Sequence, residues 1–349
     1  MALEPIAQRY TEQWYYGLPK LLAEETYIRG RDIEIITLDG ESIGGQVTTG
    51  AFLDFVGTNV WKSTQLAALA KLVQEGSVKD DAAIIWTDAW NPCILQARYM
   101  FDLMEKPVKM YGIWHAGSYD PNDFLGRIRS PWTVNTEKAL YEALDFNMFA
   151  TNYHVDLFMG GVFDNDLKSS KVLVSGQPHN LLHETLTNRP RAVKKRQVIF
   201  PHRDSVEKQP SIFHDLARSM PDVKFVFPLD NGAKPSKEEY YQLLEESTVM
   251  FSANLQETLG ISAMEAVLLD TIPFLPTRLS YREMYSAKFL YPDNWTATLA
   301  TYQEHKESIV KHLYYMLDNA ADYEENLERQ KERLEEYLYP DAWMEVLFK

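Results

Sequence analysis

Val249-Met250-Phe251-Ser252-Ala253 leads, three residues later, into Glu257-Thr-Leu-Gly-Ile-Ser-Ala-Met-Glu265. The apolar run reads as a buried strand, the glycine as a turn and the residues after it as a helix. A strand, loop and helix in that order point the free backbone N–H groups of Leu259, Gly260 and Ile261 past the strand end. Such a helix start favours an anion, phosphate above all. Glu257 stays on the loop and Glu265 falls about one turn into the helix. The two carboxylates then frame a diphosphate instead of meeting each other, one accepting from sugar hydroxyls and the other from a ribose. Spacing alone also allows a plainer reading, with Glu257 complementing the helix dipole and Glu265 solvated on the helix surface.

Strand-like runs, each followed by a helical pattern, recur on both sides of this segment. They fall at 33–38, 83–87, 108–114 and 146–151, then at 198–201, 224–228, 249–253 and 272–275. Alternation of this kind predicts parallel sheets covered by helices. The expected fold class is α/β, with two Rossmann-like, doubly wound domains, an interdomain cleft at the carboxyl ends of both sheets and a C-terminal helix. The polar stretch around 187–195 is the best boundary. It gives an N-terminal domain over 1–188, a C-terminal domain over 189–325 and a helical tail over 326–349, the first expected on the acceptor side and the second expected to bind a nucleotide sugar if the resemblance given next holds. The charged helix at 323–339 is stopped by Pro340, and Trp343, Leu347 and Phe348 are expected to pack back on the N-terminal domain.

Upstream, Gln197-Val-Ile-Phe-Pro-His-Arg203-Asp-Ser-Val-Glu-Lys208 reads as a strand running into a loop that carries Arg203 and Lys208. An arginine holds phosphate in a bidentate fork, and a lysine adds a point charge. Together with the paired glutamates, these residues resemble the retaining, nucleotide-sugar-dependent glycosyltransferases of the GT-B fold, family four in particular. That family carries Arg-x4-Lys and Glu-x7-Glu elements in its C-terminal domain. The match covers roughly residues 197–290. It implies that Arg203 and Lys208 neutralise the donor diphosphate, that Glu257 contacts the donor sugar and that Glu265 holds the ribose, with a UDP-sugar as co-substrate.

Composition bounds the alternatives. The 349 residues suffice for two cores, and a 45% hydrophobic fraction is ordinary for a globular chain. The single cysteine, Cys93, excludes an intrachain disulfide framework and a cysteine-cluster zinc site, which suits a reducing cytoplasm. With no signal-like N-terminus and no apolar run of about 18 residues, a soluble protein without a membrane partner is expected. A formal charge of −15 argues against binding nucleic acid through a broad positive field. Arg189, Arg191, Lys194, Lys195 and Arg196 form a local basic cluster. It reads either as a solvated linker or as one wall of an acidic-ligand cleft.

In the N-terminal half, the glycine-bearing stretch 39–50 follows the strand-like run at 33–38 and offers Gly45 to a substrate. It lacks the spacing of a phosphate loop or a dinucleotide fingerprint. Trp114-His115-Ala-Gly117-Ser118-Tyr119-Asp120 follows a second run and places His115 at a strand end, where the resemblance gives such a histidine the donor sugar or phosphate. Asp120 or Asp123 would orient it or bind the acceptor hydroxyl. After a third run, Asp88 is placed to accept from a sugar or acceptor hydroxyl, and Trp90 either stacks on a ring or packs in the core.

The N-terminal half, with the run Arg9-Tyr-Thr-Glu-Gln-Trp14-Tyr15-Tyr16, also resembles bacteriophage glycosyltransferases that decorate modified DNA bases. That resemblance implies double-stranded DNA with 5-hydroxymethylcytosine as acceptor, in the host cytoplasm. The GT-B resemblance implies retention through a front-face route, and no Asp-x-Asp element sits on a cleft-like loop, so no obligatory metal is expected. A glycan, lipid headgroup or tRNA base as acceptor, a sugar-nucleotide epimerase, and a noncatalytic binding module remain open beside it.

Overall fold

The computed structural model describes residues 1–6, 10–45, 54–166, 170–230, 233 and 235–347. Arg9, residues 46–50 of the glycine-bearing stretch and Phe348 lie outside the described residues. The chain divides into two compact units, Met1–His179 with Pro340–Lys349, and Asn180–Tyr339. The first break falls nine residues before the 188/189 boundary read from polarity, because α6 (Asn180–Thr187) belongs to the second unit.

Unit 1 runs α1 (Tyr10–Ile28), α2 (Phe55–Gln74), β1 (Ala83–Trp86), α3 (Cys93–Leu103), β2 (Lys109–Ile113), α4 (Pro131–Ala143), β3 (Phe146–Phe149), α5 (Asn152–Phe163) and β4 (Val172–Val174). The four strands pair in parallel in the order β1-β2-β3-β4. Alternation along each strand sends successive side chains to opposite faces. Met110 and Phe149 thus join Leu69, Phe101 and Phe158 in one core, while Tyr111 and Met148 join Trp14 and Leu18 of α1 in another.

Residues 33–38 do not form the expected strand. Ile33 and Ile36 are exposed, and the segment's carbonyl at Leu38 is taken by the N–H of Ala2.

Unit 2 continues with α6, β5 (Lys195–Ile199), α7 (Pro210–Ser219), β6 (Lys224–Val226), α8 (Lys237–Glu246), β7 (Ser247–Phe251), α9 (Ile261–Leu268), β8 (Ile272–Pro276), α10 (Tyr281–Met284), β9 (Leu290–Tyr291), α11 (Leu299–Asp318) and α12 (Glu324–Leu338). Its sheet is parallel in the order β6-β5-β7-β8-β9. The chain leaves β5 for β6 on one side and returns to β7 on the other. This reversal makes the carboxyl ends of β5 and β7 the topological switch point, where ligands of open α/β sheets bind.

The charged helix read at 323–339 is α12, and it stays in unit 2. Pro340 ends it, and α13 (Asp341–Leu347) packs in unit 1, with Trp343 fully buried edge-on against Trp14 at a ring separation of 5.8 Å.

Candidate functional site

In unit 2 the loops after β5 and β7 are stitched together at the switch point. Leu255 N–H donates to the carbonyl of Glu207 at 2.8 Å, and Ser262 Oγ lies 3.3 Å from His202 Nδ1. Arg203 stands on the first loop with its side chain one-third exposed. Its Nη2 and Nε donate to Glu207 Oε1 at 2.6 and 3.0 Å, and its Nε also donates to Ser205 Oγ. Burial pulls the Glu207 carboxyl upward, but the Ser205 hydroxyl and the Arg203 charge outweigh it and hold the group below its ordinary range.

Lys208 is nearly buried. Its ammonium donates to Gln256 O at 2.5 Å and to Glu257 Oε1 at 2.8 Å. The structure thus joins Lys208 and Glu257, which the sequence placed 49 positions apart.

Gly260 caps α9 with φ +83°, a left-handed conformation that favours glycine. A Cβ there would sit 2.7 Å from Tyr281 Cε1. The glycine therefore serves both the turn and the close approach of Tyr281. Leu259 is buried against the core, and helix geometry leaves the N–H groups of Ile261 and Ser262 without intrahelical acceptors. The helix starts where the spacing predicted.

The supporting residues were missed. Asn254 Nδ2 donates to Glu257 Oε1 at 3.0 Å and to Tyr281 Oη at 3.1 Å. Arg278 reaches back from the end of β8 to donate to the carbonyls of Asn254 and Ala253 at 2.7 and 2.8 Å. His202 is buried, and burial beside Lys208 and Arg203 holds its imidazole well below the ordinary range, so it stays neutral. Nothing in the local sequence marks these residues, because their partners lie up to 60 positions away.

Glu265 departs from the plainer of its two sequence readings. It lies on α9 as expected, yet it is 2% exposed instead of solvated. Its Oε1 accepts from Lys237 Nζ at 2.7 Å and Tyr241 Oη at 3.2 Å, and its Oε2 from Tyr240 Oη at 3.0 Å. A ribose would have to exchange with Lys237, whose ammonium lies within 5 Å of both tyrosine rings.

The basic cluster ahead of β5 is consumed within unit 2. Arg189 pairs with Glu238 and Glu245, each at 2.6 Å, and Arg191 pairs with Asp270 at 2.8 Å. Lys195 pairs with Glu246 at 2.6 Å, and Arg196 with Asp318. Lys194 is half-buried and donates to the carbonyl of Leu269 and the hydroxyl of Thr271, and desolvation of its ammonium pulls its pKa down to about 7. These side chains lie at the amino end of the sheet, away from the carboxyl ends where the switch point is.

In unit 1 the residues expected on the acceptor side are already occupied. His115 Nε2 lies 2.7 Å from the carbonyl of Thr87, and its ring packs on Tyr10 and Trp14. Burial pushes its pKa down, which keeps the ring neutral. Asp88 pairs with Lys62 at 2.7 Å and accepts from Trp90 N–H at 3.0 Å. Asp120 is buried and caps the turn at Asn122 N–H, and Asp123 does the same for Leu125. Gly45 lies against Asp54, whose Oδ2 a Cβ would meet at 1.8 Å, so its smallness serves packing. Trp90 is half-buried, and its indole N–H donates to Glu137 at 2.9 Å.

No protein-family model matches the chain. Among solved structures, TarM of S. aureus, in complex with Fondaparinux, alpha-GlcNAc-glycerol and UDP, superposes with a TM-score of 0.56 at 14% identity over 82% of this chain and 59% of that one. The chain therefore spans about three-fifths of TarM's length. Sucrose-phosphate synthase of Thermosynechococcus elongatus gives 0.58 at 12% identity, over 86% of this chain and 80% of that one. A trehalose-6-phosphate synthase studied for glycosyl transfer with retention gives 0.56 at 12% identity, over 82% and 77%. At such identities the likeness shows the fold, two parallel α/β units of the GT-B type, as the sequence predicted.

Proposed function

We propose that this chain transfers a glycosyl group from a nucleoside diphosphate, UDP in the first instance, to a hydroxyl acceptor. The observation that carries the reading is the switch-point cluster of unit 2: Arg203, Lys208 and the start of α9 on two stitched loops, with Glu257 held among them. In the reaction the bond from the sugar's anomeric carbon to the diphosphate oxygen breaks, and negative charge grows on that oxygen. Arg203, Lys208 and the helix-end amides are the groups to stabilise it, at about 1.5–3 kcal/mol for each charged contact.

The anomeric carbon bonds to the acceptor oxygen on the same face, and the leaving phosphate takes the hydroxyl proton. No side-chain nucleophile enters, and the three positive groups fill the role of a divalent cation, so we propose retention without an obligatory metal. UDP bound to TarM and retention in the trehalose-6-phosphate synthase support the reading by fold likeness.

For the acceptor, the pairing of Arg189, Arg191, Lys195 and Arg196 with carboxylates favours an uncharged glycan over the polyanionic backbone of DNA. The hydroxymethylcytosine acceptor therefore stands as the second reading.

The test is mass spectrometry of the purified chain in EDTA with UDP-glucose, UDP-galactose, UDP-N-acetylglucosamine and UDP-arabinose. Each donor is offered to neutral oligosaccharides, tRNA, and duplexes with cytosine or 5-hydroxymethylcytosine. A gain of one sugar on an acceptor supports transfer and identifies the pair. A new epimer of the donor without acceptor, equal in mass and therefore resolved by proton NMR of the same mixture, makes the chain an epimerase. Absence of UDP release with every donor, together with absence of UDP binding, overturns the donor site.

A further inference from the structure

The loops after β1 and β2 of unit 1 are tied together by one carboxylate that the transfer chemistry does not use. Glu137 on α4 is fully buried. It accepts from Ser118 N–H at 2.5 Å, from Ser118 Oγ at 2.8 Å and from the Trp90 indole N–H at 2.9 Å. A buried charge with three donors is a specific device, because an ion taken out of water is tolerated only when its lone pairs are met. Gly117 leaves room for it, since a Cβ there would sit 2.8 Å from Glu137 Oε1. The backbone carbonyl of Trp90 is fixed in turn by Lys62 Nζ at 2.8 Å.

Trp90 is thus clamped at both its backbone and its ring. Against it, at 6.5 Å and nearly perpendicular, stands Trp132 in the first turn of α4, with 57% of its surface open. Folding gives no reason to expose so large a ring beside one so firmly held.

We propose that Trp132, braced by Trp90 and Glu137, is a stacking platform for a neutral sugar ring of the acceptor, an assignment that rests on the glycosyl-transfer reading. An indole face attracts the C–H face of a pyranose and offers it no charge. The paired basic side chains and the net charge of −15 disfavour a polyanionic occupant. A perpendicular pair also presents one open face, which suits one-sided stacking on a sugar better than a two-sided clamp on a base. Glu137 is a positioning residue for Trp90.

The experiment is saturation-transfer NMR of the whole chain with maltotriose, cellotriose and chitotriose, and with a hydroxymethylcytosine duplex. UDP binding is measured by calorimetry on the same samples. At least one oligosaccharide should receive saturation on its ring protons. Trp132→Ala should weaken that ligand roughly fivefold to tenfold, and Trp132→Phe should retain part of it. Glu137→Gln should shift the Trp90 indole N–H resonance and weaken the same ligand, with UDP affinity unchanged in every variant. Because Trp132 is exposed, its variants keep the test valid even if Glu137→Gln unfolds.

No saturation of any oligosaccharide, or saturation indifferent to Trp132→Ala, overturns the platform. A Trp132-dependent signal from the duplex alone overturns the sugar assignment. Loss of UDP binding with a persistent Trp132-dependent oligosaccharide signal refutes the donor reading and leaves the platform standing.

Discussion

Replacing Lys208 with Met should destabilise unit 2 more than removing Lys208 and Glu257 together would suggest. Lys208→Met keeps the apolar stem and deletes an ammonium whose side chain is 7% exposed, leaving Glu257 at 19% exposure without its counter-ion. Breaking a buried pair from one side costs about 3–5 kcal/mol. Glu257 keeps the Asn254 bond and some water, which reduces the expectation to about 2–3 kcal/mol, or about 1 M in the urea midpoint. Glu257→Gln leaves Lys208 its Gln256 carbonyl and should cost less, about 1 kcal/mol. In the double variant no charge is stranded, so its loss should fall short of the sum of the singles by about 1–2 kcal/mol. Urea titrations of the four proteins, followed by circular dichroism, measure that coupling. Additive losses would show that the 2.8 Å contact carries no energy and that the reasoning about the site's internal charge balance is wrong.

Arg203→Ala should lower turnover by roughly 10–100-fold, the worth of one charge-assisted contact, and it also leaves Glu207, 10% exposed, without its counter-ion, so steady-state kinetics are read beside a thermal melt to separate lost catalysis from lost stability. Gly260→Ala should cost about 1–3 kcal/mol from the left-handed backbone and the clash with Tyr281, and UDP binding should fall with it, as calorimetry would show. Lys194 releases its proton at about pH 7 when folded, against an ordinary 10.5. Between those values the unfolded chain holds more protons, so stability rises with pH by up to about 1.4 kcal/mol per unit. Lys194→Met should flatten that rise, and unfolding curves from pH 7 to 10 would reveal a persistent slope if another group were responsible.

The sequence disclosed the sheets better than their edges. Seven of the nine strands among the described residues coincide with apolar runs, since parallel strands buried on both faces read as near-continuous hydrophobic segments. Val172–Val174 and Leu290–Tyr291 are too short to carry a period. The run at 33–38 has strand composition without a ladder, because composition reports burial preference and not pairing. In the candidate site, Arg203, Lys208, Glu257 and Gly260 were legible because they belong to loops of fixed spacing. His202, Asn254 and Arg278 were not, since their role comes from contacts across strand ends. Trp132 and Glu137 carry no motif, and only the fold sets one in solvent and the other in the core.

Unit 2 is inserted into unit 1, because α13 and its Trp343 complete a core begun by Trp14. During synthesis, domains usually finish in the order in which they emerge. Here the order is reversed: the second unit has all its residues once Tyr339 leaves the ribosome, while the first still waits for Trp343. Until then the face of the sheet bearing Tyr111 and Met148 lacks part of its cover, a nascent surface for chaperones to hold. A stop codon at position 340 should therefore injure the earlier-made half of the protein and spare the later-made one.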